Sequence, residues 1–169
     1  MATQEHYDNI AALAKRLVEE CARRRIKLST AESCTGGMLS AAVTSVAGSS
    51  AVIELGICSY SNRIKCEVLG VSPEIIEAYT EYSVQCAAAM ADGVRRLSGS
   101  DISASVTGVA GPDGGTPTHP VGEVCIGVSG KNGSRAERFL FAQGMPDREN
   151  IRAAAAEKAL ELLLAEITD

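Results

Sequence analysis

The chain contains no tryptophan, two histidines and few aromatic residues. Its six cysteines form no Cys-x-x-Cys pair, so the spacings typical of zinc sites and disulfide frameworks are absent from its 169 residues. No apolar run approaches the ~20 residues that a membrane-spanning helix needs. These absences favour a cytoplasmic protein with reduced thiols, without a membrane partner, a metal or a cofactor.

Clustered cations are scarce as well. The formal net charge is −5 at pH 7, and the run of basic residues at 23–25 falls at the end of a predicted helix. Cations at that position complement the helix dipole. Because binding to a phosphate backbone requires many cations on one surface, we expect no nucleic-acid partner.

Helical and strand-like patterns alternate along the chain, which predicts an α/β fold in one domain spanning residues 1–169. A Lys-Asn-Gly turn at 131–133 predicts an antiparallel hairpin, so the sheet should be mixed. Residues 51–60 are almost continuously apolar, and we expect them in the middle of the sheet. The longer helices are predicted over 4–24, 38–47, 83–97 and 147–167, and the strands over 26–30, 51–60, 101–107, 123–129 and 135–142.

Ser33 falls at the turn between the first predicted strand and the following helix. Catalytic residues of α/β proteins are often found at such a junction. Gly36 and Gly37 would let a ligand approach the backbone, and the first N–H groups of the helix would attract an oxyanion or a phosphate. The alternative is that Ser33 is simply a helix N-cap. The turn lacks the first glycine of a Gly-x-Ser-x-Gly nucleophile elbow, so it is not a hydrolase elbow of that type.

Lys65 follows the second predicted strand, in the expected first turn of a helix that Asn62 would cap. A cation there opposes the helix dipole, and burial would lower its pKa further, so Lys65 is a candidate base near neutral pH. An exposed surface lysine is the alternative. Tyr60, at the strand end, is either a proton relay or a packing residue.

Residues 108–120 form the stretch that is richest in glycine and proline. A loop of small residues can wrap closely around a ligand, although the same composition also suits a flexible connection. His119 lies in this loop, and a Ser/His/Asp triad would have to use it.

Three segments, residues 31–37, 60–65 and 108–115, resemble in sequence and order the signature motifs of the CinA C-terminal domain family, the nicotinamide-nucleotide amidohydrolases. The resemblance covers nearly the whole chain. It implies a three-layer α/β/α sandwich with a mixed, mostly parallel sheet, in a homodimer or higher homo-oligomer. It also implies a pyridine mononucleotide as substrate: nicotinamide mononucleotide would be hydrolysed to nicotinic acid mononucleotide and ammonia, in pyridine nucleotide salvage.

The same resemblance implies catalytic roles, because Ser33 matches the family's nucleophile, Lys65 its base and Tyr60 the accompanying tyrosine. Arg148 matches an arginine near the start of the last helix, although two extra residues, 145 and 146, interrupt the usual Gly-Asp-Arg motif here. The positions expected to contact substrate are Thr35, Gly36, Gly37, Asn62, Thr107, Gly108, Gly111, Gly114, Gly115 and Arg148. Two other functions stay open: a nucleotide-binding or competence- or damage-associated regulatory module without catalysis, and a structural oligomer without a ligand.

Overall fold

The computed structural model of the protein describes residues 2–141 and 147–168, which contain both helices and strands. The helices are α1 (Ala2–Arg24), α2 (Met38–Thr44), α3 (Asn62–Glu67), α4 (Pro73–Tyr79), α5 (Val84–Ser98) and α6 (Arg148–Thr168). The strands are β1 (Leu28–Glu32), β2 (Ile53–Cys58), β3 (Ile102–Gly108), β4 (Glu123–Gly130) and β5 (Gly133–Leu140). A short 3₁₀ turn, Ser49–Ala51, precedes β2.

The strands form one sheet in the order β2-β1-β3-β4-β5. β1 pairs in parallel with β2 and β3, whereas β4 is antiparallel to both of its neighbours. The predicted mixed sheet is confirmed: β4 alone runs opposite to the other strands, although only half of the pairings are parallel. Because β1, β2 and β3 run the same way, their carboxyl ends meet at one edge of the sheet.

Helices cover both faces of the sheet, so the three-layer α/β/α fold is also confirmed. On one face, Leu17 of α1 and Leu160 of α6 join a core that includes Val106 of β3. On the other face, Met90 of α5 packs in a second core with Ala31 of β1. Burying a large apolar side chain in this way contributes ~1.5–3 kcal/mol.

The helix α5 lies unusually close to the sheet. Ser105 Oγ donates to the Ala87 carbonyl at 2.6 Å, and a Cβ placed on Gly127 would lie 2.4 Å from the same oxygen. Only glycine therefore fits at that position of β4. This close packing fixes β3, whose carboxyl end leads into the glycine-rich loop, against α5.

The prediction that residues 51–60 lie in the middle of the sheet is wrong, because β2 is an edge strand. Its side chains alternate between half-buried and exposed along Ile53–Cys58. Glu54 faces solvent and pairs with Lys27, with Nζ and Oε1 3.0 Å apart. Its half-buried apolar residues are divided between the two cores, with Ile53 packed against the first and Leu55 and Ile57 against the second.

Most other boundaries are confirmed within a few residues. Ser83 Oγ accepts the Cys86 amide and caps α5, which ends at Gly99 with a left-handed φ of 68°. α2 ends at Thr44, three residues before the predicted stop. The first strand begins two residues later than predicted, because the Ile26 amide still donates to the Cys21 carbonyl at the end of α1. The predicted end of the last strand, residue 142, lies outside the described residues, as do residues 145 and 146.

Candidate active site

The carboxyl ends of the three parallel strands carry the three segments that the sequence singled out. Ser33 directly follows β1, and its amide donates to the Val106 carbonyl of β3 at 2.8 Å. Tyr60 follows β2 and precedes α3, while β3 ends at Gly108 and continues into the glycine-rich loop. The topology therefore brings these segments together at one edge of the sheet.

Lys65 lies beside Ser33. Its Nζ is 3.4 Å from Ser33 Oγ, 3.0 Å from the Ser59 carbonyl oxygen and 3.3 Å from the Tyr60 carbonyl oxygen. The side chain is only 1% exposed, and it forms no ion pair within residues 2–141 and 147–168. A neutral amine has two N–H donors and one lone pair, so the two carbonyls can hold it with the lone pair directed at the serine hydroxyl.

Burial lowers the pKa of Lys65 below its usual value of 10.5, because the protonated amine loses its hydration. Cys86 and Glu81 act in the opposite direction. Burial also raises the pKa of the Cys86 thiol to about 11, so this thiol is uncharged near neutral pH. Of these two neighbours, only Glu81 then supplies a negative charge that favours the protonated lysine.

The helix-dipole argument for Lys65 is wrong. Lys65 lies in the last turn of α3 rather than the first. The cap of this helix is Ser61, whose Oγ accepts the Ile64 amide, and not Asn62. The lowered pKa of Lys65 therefore comes from burial.

A buried carboxylate closes the helix end that follows Ser33. Glu32 Oε2 accepts the amides of Gly37 at 3.1 Å and Leu39 at 3.0 Å. Its Oε1 accepts both the amide and the hydroxyl of Ser40, each at 2.8 Å. An anion at this position satisfies the free N–H groups of α2 and complements its dipole. The start of α2 is therefore not available to a substrate anion, contrary to the expectation from the sequence.

Thr35, Gly36 and Gly37 form the turn that leads into α2. The Gly36 amide donates to the Ser33 carbonyl at 3.0 Å. Thr35 is fully buried, and its hydroxyl has no partner in the described part of the chain. Arg152 of α6 contacts this turn from outside, because its Nε donates to the Cys34 carbonyl at 3.1 Å and its Nη2 to the Thr35 carbonyl at 2.8 Å.

A cavity of about 180 Å³ opens beside Ser33 and Lys65. The other expected site residues in its wall are Tyr60, Asn62, Gly108, Gly111, Gly114 and Arg148. Those outside its wall are Thr35, Gly36, Gly37, Thr107 and Gly115. Thr107 instead supports the wall, because its hydroxyl donates to the Glu81 carbonyl at 2.7 Å.

The glycine-rich loop is held on β4 by its backbone. The Val109 amide donates to the Glu123 carbonyl at 2.8 Å, and the Gly122 amide donates to the Val109 carbonyl at 2.7 Å. A Cβ on Gly108 would lie 2.4 Å from the Glu123 carbonyl oxygen. The start of the loop is thus a packed wall of the cavity rather than a plain flexible connection.

Arg148 and Tyr60 meet at the mouth of the cavity. Arg148 Nη1 donates to the Gly111 carbonyl at 2.7 Å, and Nη2 donates to Tyr60 Oη at 3.0 Å. The Tyr60 side chain is 61% exposed. It is the backbone carbonyl of Tyr60, and not its hydroxyl, that contacts Lys65, so the structure does not bring the phenol to the Ser33–Lys65 pair as a proton relay.

Comparisons with known proteins agree with this architecture. The profile of the CinA C-terminal domain matches residues 10–167. The chain belongs to the CinA C-terminal domain family. A "CinA-like protein" from Gemmatimonas aurantiaca is 44% identical over 156 residues, which cover 92% of this chain and 35% of that protein. Another, from Citrifermentans bemidjiense, is 46% identical over 138 residues, which cover 82% of this chain and 33% of that protein.

This CinA domain spans about a third of the length of the curated relatives that it matches. Two similar crystal structures are closer to it in length. The competence/damage inducible protein CihA from Agrobacterium tumefaciens has a TM-score of 0.90 at 37% identity, over 95% of this chain and 96% of that one. A CinA superfamily protein from Klebsiella pneumoniae has a TM-score of 0.88 at 31% identity, over 94% and 98% of the two chains.

Several residues of the site were missed by the sequence reasoning. Glu81 and Tyr82 line the cavity from the segment between α4 and α5, where no motif marks them. The one available signal was their position directly before Ser83, the recognisable cap of α5. Glu32 and Arg152 also escaped notice, because apart from the Ser40 hydroxyl their partners are backbone groups that no sequence pattern identifies.

His119, the candidate for a Ser/His/Asp triad, is bound elsewhere. Its Nδ1 lies 2.8 Å from Glu123 Oε1, and its Nε2 lies 3.3 Å from Thr80 Oγ1. In this CinA domain the titratable side chain beside Ser33 is thus that of Lys65 and not that of His119.

The six cysteines are free. Between residues 2 and 141 and between 147 and 168, no group of three His, Cys, Asp or Glu side chains is placed to hold a metal ion. Within the same ranges, no helix has both the length and the apolar character needed to cross a bilayer.

Proposed function

We propose that the chain hydrolyses the carboxamide of nicotinamide mononucleotide to nicotinic acid mononucleotide and ammonia. The observation that carries this proposal is the 3.4 Å separation of Lys65 Nζ and Ser33 Oγ. A buried lysine with a lowered pKa can deprotonate a serine, and the pair then supports acyl transfer through a covalent intermediate. The substrate comes from the family resemblance and from the charges around the cavity.

In the first half of the proposed reaction, Ser33 Oγ attacks the carboxamide carbon while its proton passes to the neutral Lys65 Nζ. The new C–O bond pushes the carbonyl π electrons onto oxygen and gives a tetrahedral oxyanion. On its collapse the C–N bond breaks, and Lys65 gives the proton to the departing nitrogen, which leaves as ammonia. Water then attacks the acyl-enzyme, its proton passes to Lys65, and collapse returns that proton to Ser33 and frees the acid.

The charges around the cavity suit a nucleotide that carries both signs. The Glu81 carboxylate in the wall can face a cationic pyridinium ring. Arg148 at the mouth can bind a phosphate with its planar guanidinium. The exposed Tyr60 ring lies beside Arg148 and can offer an aromatic face to the pyridinium cation of the nucleotide.

The test is the release of ammonia from nicotinamide mononucleotide by the purified protein. Ser33→Ala and Lys65→Ala should fold and lose activity by about three orders of magnitude or more. Lys65→Arg should not restore activity, because a guanidinium stays protonated. The control is Ser45→Ala at an exposed position, which should leave turnover unchanged. A Ser33→Ala protein that keeps more than about a tenth of wild-type turnover would refute the assignment.

The role of the phosphate is tested with nicotinamide, its riboside and its mononucleotide. Binding energy from a remote phosphate can hold the carboxamide in attack geometry, so kcat/KM should be highest for the mononucleotide. Arg148→Ala should lower kcat/KM for the mononucleotide selectively. Similar wild-type values for nicotinamide and the mononucleotide would remove the phosphate from the proposal.

The same samples distinguish the two rival functions. A regulatory module that lacks catalysis would bind the mononucleotide in calorimetry and release no ammonia. A structural oligomer without a ligand would do neither.

A further inference from the structure

The turn after Ser33 leaves two backbone amides unused. The amides of Ser33, Gly36 and Gly37 all have acceptors, namely the Val106 carbonyl, the Ser33 carbonyl and Glu32. In the part of the chain that the structure describes, the amides of Cys34 and Thr35 have none. Cys34 lines the cavity next to Ser33. The Cys34 amide is therefore the donor of the turn that remains for a ligand in this cavity, because Thr35 is fully buried outside the cavity wall.

Arg152 fixes two peptides of the turn, those that carry the Thr35 and Gly36 amides. The Gly36 amide in turn donates to the Ser33 carbonyl, which belongs to the same peptide as the Cys34 amide. The Arg152 guanidinium donates to the carbonyls of Cys34, at 3.1 Å, and Thr35, at 2.8 Å. The Cys34 carbonyl and the Thr35 amide belong to one planar trans peptide and point in opposite directions. Because Arg152 holds that carbonyl, the Thr35 N–H must point away from Arg152.

Two further features indicate that Arg152 acts on the turn. It forms no ion pair within the described ranges, although a half-buried guanidinium commonly finds a carboxylate. It also does not line the cavity, so it cannot act by touching a substrate there. A charged donor on a carbonyl polarises the whole peptide and strengthens the N–H on its other side.

The geometry points to Arg152 as a positioning residue that, through the Thr35–Gly36 peptide and its bond to the Ser33 carbonyl, holds the Cys34 amide toward the oxyanion formed on Ser33. Glu32 holds the same turn from its other end, through the N–H groups of α2. The turn is thus clamped by a cation on its carbonyls and an anion on its amides. Such rigid placement is what oxyanion stabilisation requires, because donors fixed in advance need no rearrangement during the reaction.

The experiment measures two quantities on Arg152→Met, Arg152→Lys and wild type. One is kcat and KM with nicotinamide mononucleotide, an arm that rests on the proposed function. The other is the rate at which an alkyl fluorophosphonate labels Ser33, in which Ser33 Oγ bonds to phosphorus, fluoride leaves and Lys65 takes the proton. This arm needs a nucleophile and an oxyanion site but no nucleotide substrate.

Arg152→Met should lower kcat and the labelling rate by about 10- to 100-fold, less than the roughly 10²- to 10³-fold cost of losing an oxyanion donor outright. KM should change by less than about threefold, because the interaction is made in the transition state. The kcat and labelling rate of Arg152→Lys should lie between those of wild type and Arg152→Met, since one ammonium can hold one of the two carbonyls well. The control is Arg96→Met, which removes a guanidinium from a surface ion pair on α5 and should change neither rate.

A labelling rate within about twofold of wild type in Arg152→Met would overturn the role of Arg152. So would a loss of kcat/KM that lies wholly in KM. If Arg152→Met does not unfold cooperatively, Arg152→Lys becomes the test variant. An unchanged labelling rate in Arg152→Lys would then overturn the role of Arg152. Wild-type protein that labels at Ser33 but releases no ammonia would refute the proposed substrate and leave the labelling comparison to decide on Arg152. Wild-type protein that neither labels at Ser33 nor releases ammonia would refute both the role of Ser33 as nucleophile and the role of Arg152.

Discussion

The Lys65 amine has two carbonyl oxygens and one hydroxyl around it, and its neutral form can use all three. The protonated form could donate to the same three oxygens, but it would place a charge in a site that is 1% exposed. The hydrogen bonding therefore suits both protonation states, and it is burial that favours the neutral one. That state is the one a general base needs.

The lowered pKa of Lys65 predicts a pH-dependent difference in stability between Lys65→Met and wild type. In wild type, between the folded pKa and the unfolded value near 10.5, the unfolded state binds more protons, so the free energy of unfolding rises with pH. The variant lacks this contribution, while its other groups titrate as before. As pH rises through that window, the free energy of unfolding of wild type should therefore increase relative to that of Lys65→Met, by at most about 1.4 kcal/mol per pH unit.

Urea unfolding of both proteins at several pH values from neutral to alkaline measures this difference. Parallel stability curves would mean that Lys65 has the same pKa in the folded and unfolded chains. The difference in the free energy of unfolding at any single pH does not report the pKa of Lys65, because the methionine also leaves two carbonyls without a donor.

Glu81 should determine the preference for a cationic ring. Glu81 lines the cavity, and its charge acts on Lys65 to raise the lysine's pKa against the effect of burial. In a Ser33→Ala background, which prevents turnover, Glu81→Gln should weaken binding of nicotinamide mononucleotide by about three- to tenfold, as expected for a partly solvated ion pair. The reduced nucleotide, whose ring is neutral, should bind equally to both proteins.

Calorimetry with the two nucleotides gives the four dissociation constants. Equal losses for the oxidised and reduced nucleotides would show that Glu81 shapes the cavity without recognising the charge.

At the scale of elements, Glu32 connects the end of β1 to the start of α2. Removing it in Glu32→Ala leaves the amides of Gly37, Leu39 and Ser40 without their acceptor. The loss of a helix cap costs about 1–2 kcal/mol, and this carboxylate serves more groups than an ordinary cap, so we expect about 2–4 kcal/mol of destabilisation. Glu19→Ala, on the exposed face of α1, is the matched control and should change stability by less than about 0.5 kcal/mol.

Denaturant unfolding of the two variants provides the measurement. A loss below about 1 kcal/mol in Glu32→Ala would indicate that water replaces the carboxylate at the helix end.

The elements themselves were largely predictable, because helical periodicity and caps are local. Ser83 and Gly99 mark the ends of α5 in the sequence and in the structure alike. The position of β2 was not predictable, because its apolar composition resembles that of a central strand. The sequence of a strand does not by itself determine which strands pair with it. Glu32 was missed for a related reason: it precedes Gly37, the first residue whose amide it accepts, by five residues, which is not the spacing of a capping box.

At the scale of the whole molecule, the site depends on strand order. Ser33 and Lys65 are 32 residues apart in sequence, and their contact follows from β1 lying between β2 and β3. The motifs identified the two residues, but the pairing of β1 with β2 had to be observed. The contact of Arg152 with the turn was still less predictable, because Arg152 and Thr35 are 117 positions apart in the chain.

The family resemblance predicts an assembly larger than one chain. Light scattering at micromolar concentration should therefore give a mass of at least twice 17.6 kDa. Dilution toward nanomolar concentration then reports how stable the assembly is. A mass of a single chain throughout the micromolar range would contradict the prediction.

The buried Glu32 has a consequence for the solutes that surround the protein. A helix start without an internal anion would attract whatever phosphate or sulfate the buffer contains, directly beside the nucleophile. Here the counter-charge is part of the chain and does not exchange. At the cavity, a free inorganic anion then meets one guanidinium, that of Arg148, at the outer mouth, where the phosphate of a nucleotide would displace it.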